Sequence, residues 1–275
     1  ALAYYNKRND KQHALQMMEQ AFHLDETDSR IFMELVQLYK RLGYTYQQRL
    51  DILDKYSSLT QQRDDLMIEY VQLHNQLLRY PEAKDLLAHR HFHPWEGGEG
   101  KVTGQYTLCR RELAKQALRA GNNLEALALL AETDSYPHNL GEGKLITMQE
   151  NDIDYYKGLA LKALGETDKA NAFFRSATQG DSEPQQAFYY NDSQPDKIYY
   201  QALAWQQLGD NARADELFER LLQHGQRHLS DICKIDYFAV SLPELAIWDD
   251  DLNIRNQIHC HFVMGLGYLG KGDLT

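Results

Sequence analysis

Several stretches of this chain end an apolar helical pattern with Leu-Gly and resume five residues later with Ala, as in LKALGETDKANAFFRSA (161–177) and WQQLGDNARADELFERL (205–221). Self-similarity at a fixed period constrains a fold more than composition does, because each copy must then be the same supersecondary unit. The turn positions are Asn9, Gly43, Leu77, Gly121, Gly165, Gly209 and Gly270, at spacings of 34, 34, 44, 44, 44 and 61 residues. A basic step of 34 reads as one helical hairpin repeated about seven times, with an insertion of ten residues from the third step onward. Glycine suits the turn because a helix that ends in the left-handed conformation costs a residue with a Cβ energy.

The positions around each turn read as packing chemistry. Four residues before it stands a large apolar or aromatic residue in most copies: Tyr5, Tyr39, Leu73, Leu161, Trp205 and Leu266, with Ala117 the exception. Seven before it the residue is often small (Ala114, Gly158, Ala202), which lets two helices approach. Five after it come Ala14, Ala126, Ala170 and Ala214, and four later Met18, Leu130, Phe174 and Phe218; Gln48 and Glu82 replace the Ala in two early copies. Gly 17 and Pro 6 in 275 residues is a low content of helix breakers, consistent with an all-α chain.

This pattern resembles the tetratricopeptide repeat family, most strongly over 151–178 and 195–222. The resemblance implies a right-handed superhelix of helical hairpins with inserted loops: three divergent repeats over 1–87 and about four with insertions over 88–275, as one continuous solenoid. It also implies that first helices line a concave groove, facing it with the residues ten, six, three and two before each turn. These are Arg111, Lys115, Leu118 and Arg119, then Tyr155, Leu159, Lys162 and Ala163, then Tyr199, Leu203, Gln206 and Gln207. Arg and Lys there would receive a carboxylate or another anionic group; the alternative is an ordinary solvated helix face. The Asn-plus-Lys/Arg pattern of chaperone-binding relatives is absent, and chaperone binding is not expected.

Two insertions share a phrase, HFHPWEGGEGKV (91–102) and SYPHNLGEGKL (135–145), and would project from one rim. His93, Trp95, Glu96, Glu99, Lys101, His138, Glu142 and Lys144, with Tyr190 and Asp192 of the third insertion, are residue types that grip sugars or peptides. Equally, Trp95 would plug its loop onto the core and Gly-Glu-Gly-Lys would be a tight turn into the next helix. It is not a phosphate-binding loop, since Val102 or Leu145 follows the Lys and no strand precedes it. The fourth insertion, about 223–255, reads as a short helix at 228–240 and an irregular SLPELAIWDDD segment. There Trp248 with Asp249, Asp250 and Asp251 either binds a cation or sugar or forms a solvated helix start.

The remaining signals are exclusions. A formal charge of −11 argues against nucleic acid or an anionic membrane as partner. Three scattered cysteines fit neither a disulfide framework nor a zinc knuckle and point to a reducing, cytoplasmic setting. No apolar run approaches the roughly 18 residues of a membrane span, and ALAYYNKRND lacks the features of a signal peptide. His224 and His228, four apart, lack a third spaced metal ligand, so neither metal nor cofactor is expected, and no local spacing assembles a catalytic triad or acid/base pair. The start without Met and a seventh unit with no second helix lead to the expectation of a piece of something longer.

More specifically, HFHPWEGGEGKVTGQY, ENDIDYYKGLA, YYNDSQPDKIYYQALA and DDDLNIRNQIHC are similar to the C-terminal repeat region of large, mostly bacterial proteins whose N-terminal domain is of unknown function and is associated with sugar-mutarotase-like β-sandwiches. That implies a non-catalytic scaffold for a protein segment or a neighbouring domain, or alternatively loops that contribute to a sugar site of a carbohydrate-processing enzyme.

Overall fold

The computed structural model describes residues 1–186, 192, 194–234 and 247–273, and every regular element among them is helical. Tyr190, with Tyr189 and Asn191, lies outside the described residues. The chain divides into two compact units. The first comprises Ala1–Cys109, Tyr136–Gly143 and Glu244–Asp250, and the second Arg110–Ser135, Lys144–Pro243 and Asp251–Thr275.

In the first unit, a single π-helical turn (Ala3–Lys7) leads to α1 (Lys11–Leu24), followed by α2 (Ser29–Arg41), α3 (Tyr46–Lys55), the short α4 (Ser57–Thr60), α5 (Asp64–Gln76), α6 (Tyr80–His89) and the first half of α7 (Lys101–Arg119). Helix starts are set by local acceptors. Asp10 accepts from the His13 N–H, Asp28 from those of Arg30 and Ile31, and Thr45 and Gln48 form a reciprocal capping box. The core gathers Met18, Phe22, Phe32, Leu35, Leu38, Leu50, Leu53, Leu66 and Leu73, and with them Trp248. The second unit holds the rest of α7, then α8 (Asn123–Ala131), α9 (Asn151–Ala163), α10 (Thr167–Ala177), α11 (Pro195–Gln207), α12 (Asn211–His228) and α13 (Leu252–Lys271). Here each helix packs on the next, and α9 also packs on α11 and α11 on α13, so first helices of successive hairpins stack.

The turns close as expected at Gly43, Gly121, Gly165 and Gly209, all with φ between 79° and 87°, and at Asn9 with φ 51°. In each of the four glycine turns the next N–H returns to the carbonyl of the residue four before the turn: Tyr44 to Tyr39, Asn122 to Ala117, Glu166 to Leu161 and Asp210 to Trp205. The same bond runs from Arg79 to His74 and from Asp273 to Tyr268. The left-handed residues there are therefore Leu78 (φ 61°) and Gly272 (φ 73°), not Leu77 and Gly270. The one-residue correction places Ala83, fully buried, five after the turn and Leu87 nine after it, so Glu82 never occupied the core position and is exposed. Gln48 is likewise exposed and spends its side chain on the capping box, while Leu50 and Leu53 fill that hairpin.

Gly270 lies inside α13, where a Cβ would stand 2.1 Å from the Phe218 ring. Gly158 meets the expectation of close approach, because a Cβ would lie 2.5 Å from Phe174. Ala114 and Ala202, its counterparts, are fully buried. The helix expected at 228–240 does not form over 229–234, and 235–246 lies outside the described residues.

Gly158→Val would force the buried Phe174 ring aside and lower stability by about 1–3 kcal/mol. Urea unfolding followed by circular dichroism checks this.

Candidate functional site

The offsets that assign groove positions lead to two different situations in the two units. In the first unit two of these positions, Asn6 and Arg41, are met by the chain itself. Asn6, three before the turn at Asn9, donates from Nδ2 to the Ile247 carbonyl (3.0 Å) and accepts at Oδ1 from the Asp249 N–H (3.0 Å). Arg41, two before Gly43, pairs with Asp250 at 2.8 Å. Between these anchors Trp248 is 1% exposed, donates its indole N–H to the Glu34 carbonyl (3.0 Å) and meets Tyr5 edge-on at 5.3 Å. The Ile-Trp-Asp-Asp segment is thus held by its backbone, one large apolar side chain and one carboxylate. Trp248 is a core residue and not an exposed plate for a sugar. The acidic triplet divides into structural tasks, with Asp251 accepting from the Asn253 and Ile254 N–H groups as the N-cap of α13.

In the second unit the first helices α7, α9 and α11 converge on a charged network. Asp152, at the start of α9 and fully buried, accepts from Arg111 of α7 at 2.7 Å and pairs with Lys197 of α11. Arg111 also reaches Glu112 (3.2 Å) and Asp196 (3.7 Å), and Lys115 pairs with Glu112 at 2.7 Å. Tyrosines pave the same face: Tyr155 packs on Tyr200 with centroids 5.7 Å apart, and the Tyr156 and Tyr200 hydroxyls are 3.1 Å apart. Lys115 lies over the Tyr156 ring at 5.8 Å. Lys162 and Gln207, groove positions of successive hairpins, are joined at 2.9 Å. Arg119 and Lys162 are exposed, Tyr155 is buried and Tyr199 is half-buried.

Burial alone would raise the Asp152 pKa, yet Lys197 and Arg111 together hold it down at about 2. Burial also opposes the charge on Arg111, and Asp152 more than restores it, so Arg111 is held firmly ionised. Burial pushes Tyr155 up to about 12 and, together with Tyr156, raises Tyr200 further, so these hydroxyls stay protonated. Arg111 and Lys115, expected to receive an external anion, are therefore neutralised from within. Of the expected groove cations, Lys162 and Arg119 are the ones that remain exposed.

The sequence reasoning missed Asp152, Tyr156, Asp196, Lys197 and Tyr200. Their signal was the register: Asp152 and Asp196 are 44 apart, as are the Tyr155-Tyr156 and Tyr199-Tyr200 pairs. The groove offsets passed over them because they sit one residue aside or a turn earlier on the same helices.

The inserted loops serve mainly one another. The first phrase runs directly into α7 at Lys101, whereas Lys144 of the second stands seven residues before α9, so the two are not equivalent. Glu142 of the second accepts from the Gly100 N–H (3.0 Å) and lies 3.3 Å from Thr103 Oγ1, capping the helix that the first phrase starts. Asn139 donates to the carbonyls of Leu87 and Arg90 (both 2.8 Å), and the Phe92 N–H donates to the Asn139 carbonyl (2.7 Å). Trp95 is half-buried with its ring over Gly98, where a Cβ would come within 2.1 Å, and His93 is tied through its N–H and Nδ1 to Asp64. Lys144 donates to the Thr133 carbonyl (2.8 Å) and pairs with Glu150 (2.6 Å). Glu96, Glu99 and His138 are exposed, while Lys101 and Asp192 are half-buried.

The His224 and His228 rings lie tilted against each other with centroids 4.5 Å apart, and burial, then His228, lowers the His224 pKa to about 4. Among the described residues no three His, Cys, Asp or Glu side chains are arranged to hold a metal, and no helix is long and apolar enough to cross a membrane. Compared with known protein families, the chain matches no family model.

Because the folded pKa of Asp152 lies below the ordinary value of 3.8, its contribution is complete above about pH 4 and fades as pH falls toward 2. Acid titration of the thermal midpoint should show this loss, on the order of 2 kcal/mol, and Asp152→Asn should make the dependence between pH 4 and 2 shallower by about that amount, the other carboxylates supplying the rest. Asp152→Ala, which removes the buried carboxylate shared by Lys197 and Arg111 and leaves Arg111 only Glu112 and Asp196, should cost about 3 kcal/mol at neutral pH.

Proposed function

We propose that the chain is a non-catalytic scaffold of tetratricopeptide-like hairpins, akin to the bacterial repeat region it resembles, whose first-helix faces hold extended protein segments in the cytoplasm without a cofactor. The observation that carries this reading is the Ile247–Asp250 segment on Asn6, Glu34 and Arg41. A face built to one register grips a short aromatic-acidic stretch there. The corresponding face of α7, α9 and α11 carries the same ingredients: ordered tyrosines, exposed cations at Lys162 and Arg119, and an internal ion network that fixes the helices relative to one another.

The partner segment is accordingly acidic, with a bulky apolar or aromatic residue to lie on the half-buried Tyr199. It comes from another protein or a neighbouring domain of the same polypeptide. The network around Asp152 positions this surface and does not itself meet the ligand, since its charges are satisfied. The inserted loops support a carbohydrate site less well, because Trp95 is committed to Gly98 and Glu142 to the α7 N-terminus.

Fluorescence anisotropy with a labelled peptide copying Ile247–Leu252 tests the proposal on the intact chain. Saturable binding in the micromolar range is expected, weakened about tenfold or more by Lys162→Glu combined with Arg119→Glu, with the melting temperature retained. Absence of binding at millimolar peptide, or binding indifferent to both substitutions, would sink it.

A further inference from the structure

The large core of the first unit is built from one stretch of chain and one guest. Among the described residues, every apolar side chain gathered in it lies between Ala1 and Leu77, except Trp248 and its neighbour Ile247. Trp248 is the largest fully buried side chain described, yet the segment that carries it belongs to no regular element: α12 ends at His228, α13 begins at Leu252, and Ile247–Asp250 is neither helix nor strand.

The guest is held as a peptide ligand is held. Asn6 reads main chain alone, donating to the Ile247 carbonyl and accepting from the Asp249 N–H, and so places no demand on the side chains at those positions. Identity is read at two places. At 248 a ring meets Tyr5 edge-on and offers an N–H to the Glu34 carbonyl, and at 250 a carboxylate meets the Arg41 guanidinium. The acidic end lies at the surface, since Asp249 and Asp250 are exposed and Arg41 keeps 25% of its side chain open. Lys7 and Arg8, the exposed residues that follow Asn6, favour an acidic guest as well.

We propose that this first-unit face is a binding site for a Trp-x-Asp segment of another protein, which Ile247–Asp250 occupies as a built-in competitor. The proposal rests on the reading of first-helix faces as holders of protein segments, and adds that the chain carries its own inhibitor of one of them. A segment on the same chain competes at an effective concentration that reaches about millimolar. A partner therefore captures the site only when it brings further contacts or a high local concentration of its own. Leaving a slot of tryptophan size empty is strongly destabilising, so release and capture are coupled: Trp248 comes out as the partner's ring goes in.

Trp248→Ala opens the slot, and fluorescence anisotropy with a labelled peptide copying Ile247–Leu252 reads it. The measurement is made on the whole chain carrying Lys162→Glu and Arg119→Glu, so that its outcome does not depend on whether the face of α7, α9 and α11 binds. On that background the peptide should bind the Trp248→Ala chain in the micromolar range, at least tenfold more tightly than the chain that keeps Trp248, and should raise the melting temperature of the opened chain alone. Asn6→Ala and Arg41→Glu, each added to Trp248→Ala, should weaken binding tenfold or more. Asp250→Lys loosens the segment without emptying the core, and should also tighten peptide binding if Trp248→Ala does not fold. Equal affinity with the segment intact and loosened, or binding indifferent to Asn6 and Arg41, would overturn the proposal. So would a parent chain that sediments as a dimer only while Trp248 is present, which makes a second copy the occupant.

Discussion

The left-handed residue that closes each hairpin is the constraint on which the described structure rests. It fixes where the helix stops, returns one N–H to a carbonyl five residues back and sets the start of the following helix. From it follow the buried Ala five residues on and the side chain nine residues on, such as Phe174, that reaches back to the first helix. Where the first helix offers glycine, as at Gly158, the ring takes the place of a side chain and the two backbones come close. The charged cluster depends on the same geometry. Arg111, Asp152 and Lys197 come from three hairpins, and they meet because α7, α9 and α11 present equivalent turns to one side.

That cluster is better understood as a clamp than as a ligand site. Ions withdrawn from water contribute little net stability when paired, and much instability when one partner is lost. Such an arrangement penalises any slippage of one hairpin against the next. The tyrosines beside it have a similar character, with hydroxyls that stay protonated and rings that fill space, leaving a firm polar surface on which exposed Lys162 and Arg119 are mounted.

Much of the fold could be read from periodicity. Helical hairpins, the glycine turns at 43, 121, 165 and 209, and the packing residues around them follow from spacing and size alone. The misses have local causes. Leu78 is a left-handed residue with a side chain, which no glycine announces, and Gly270 sits two residues before the glycine that does the turning. The candidate site was legible only as positions: the offsets pick out Arg111, Lys115, Tyr155, Lys162 and Tyr199 on neighbouring first helices but attribute to Arg111 and Lys115 an availability they lack. Ion pairing between hairpins 40 or more residues apart is a three-dimensional fact that a spacing rule does not encode, although the recurrence of Asp152 and Asp196 hinted at it. The shared GEGK phrase misled most. Identical letters serve one loop as a helix start and the other as the cap placed upon it.

The placement of Trp248 bears on the order in which the molecule is made. Its indole completes a core whose other members lie between Met18 and Leu73, and its neighbours bond to Asn6 across 241 and 243 residues. Contacts of such long range form late, because the intervening chain must be closed before they yield anything. On the ribosome the hairpins between Met18 and Leu73 emerge before Trp248 and wait, with a tryptophan-sized gap, until it has been synthesised. The first unit is therefore finished only when that distant segment arrives, and a chain halted before it would present the unfilled gap to chaperones and proteases.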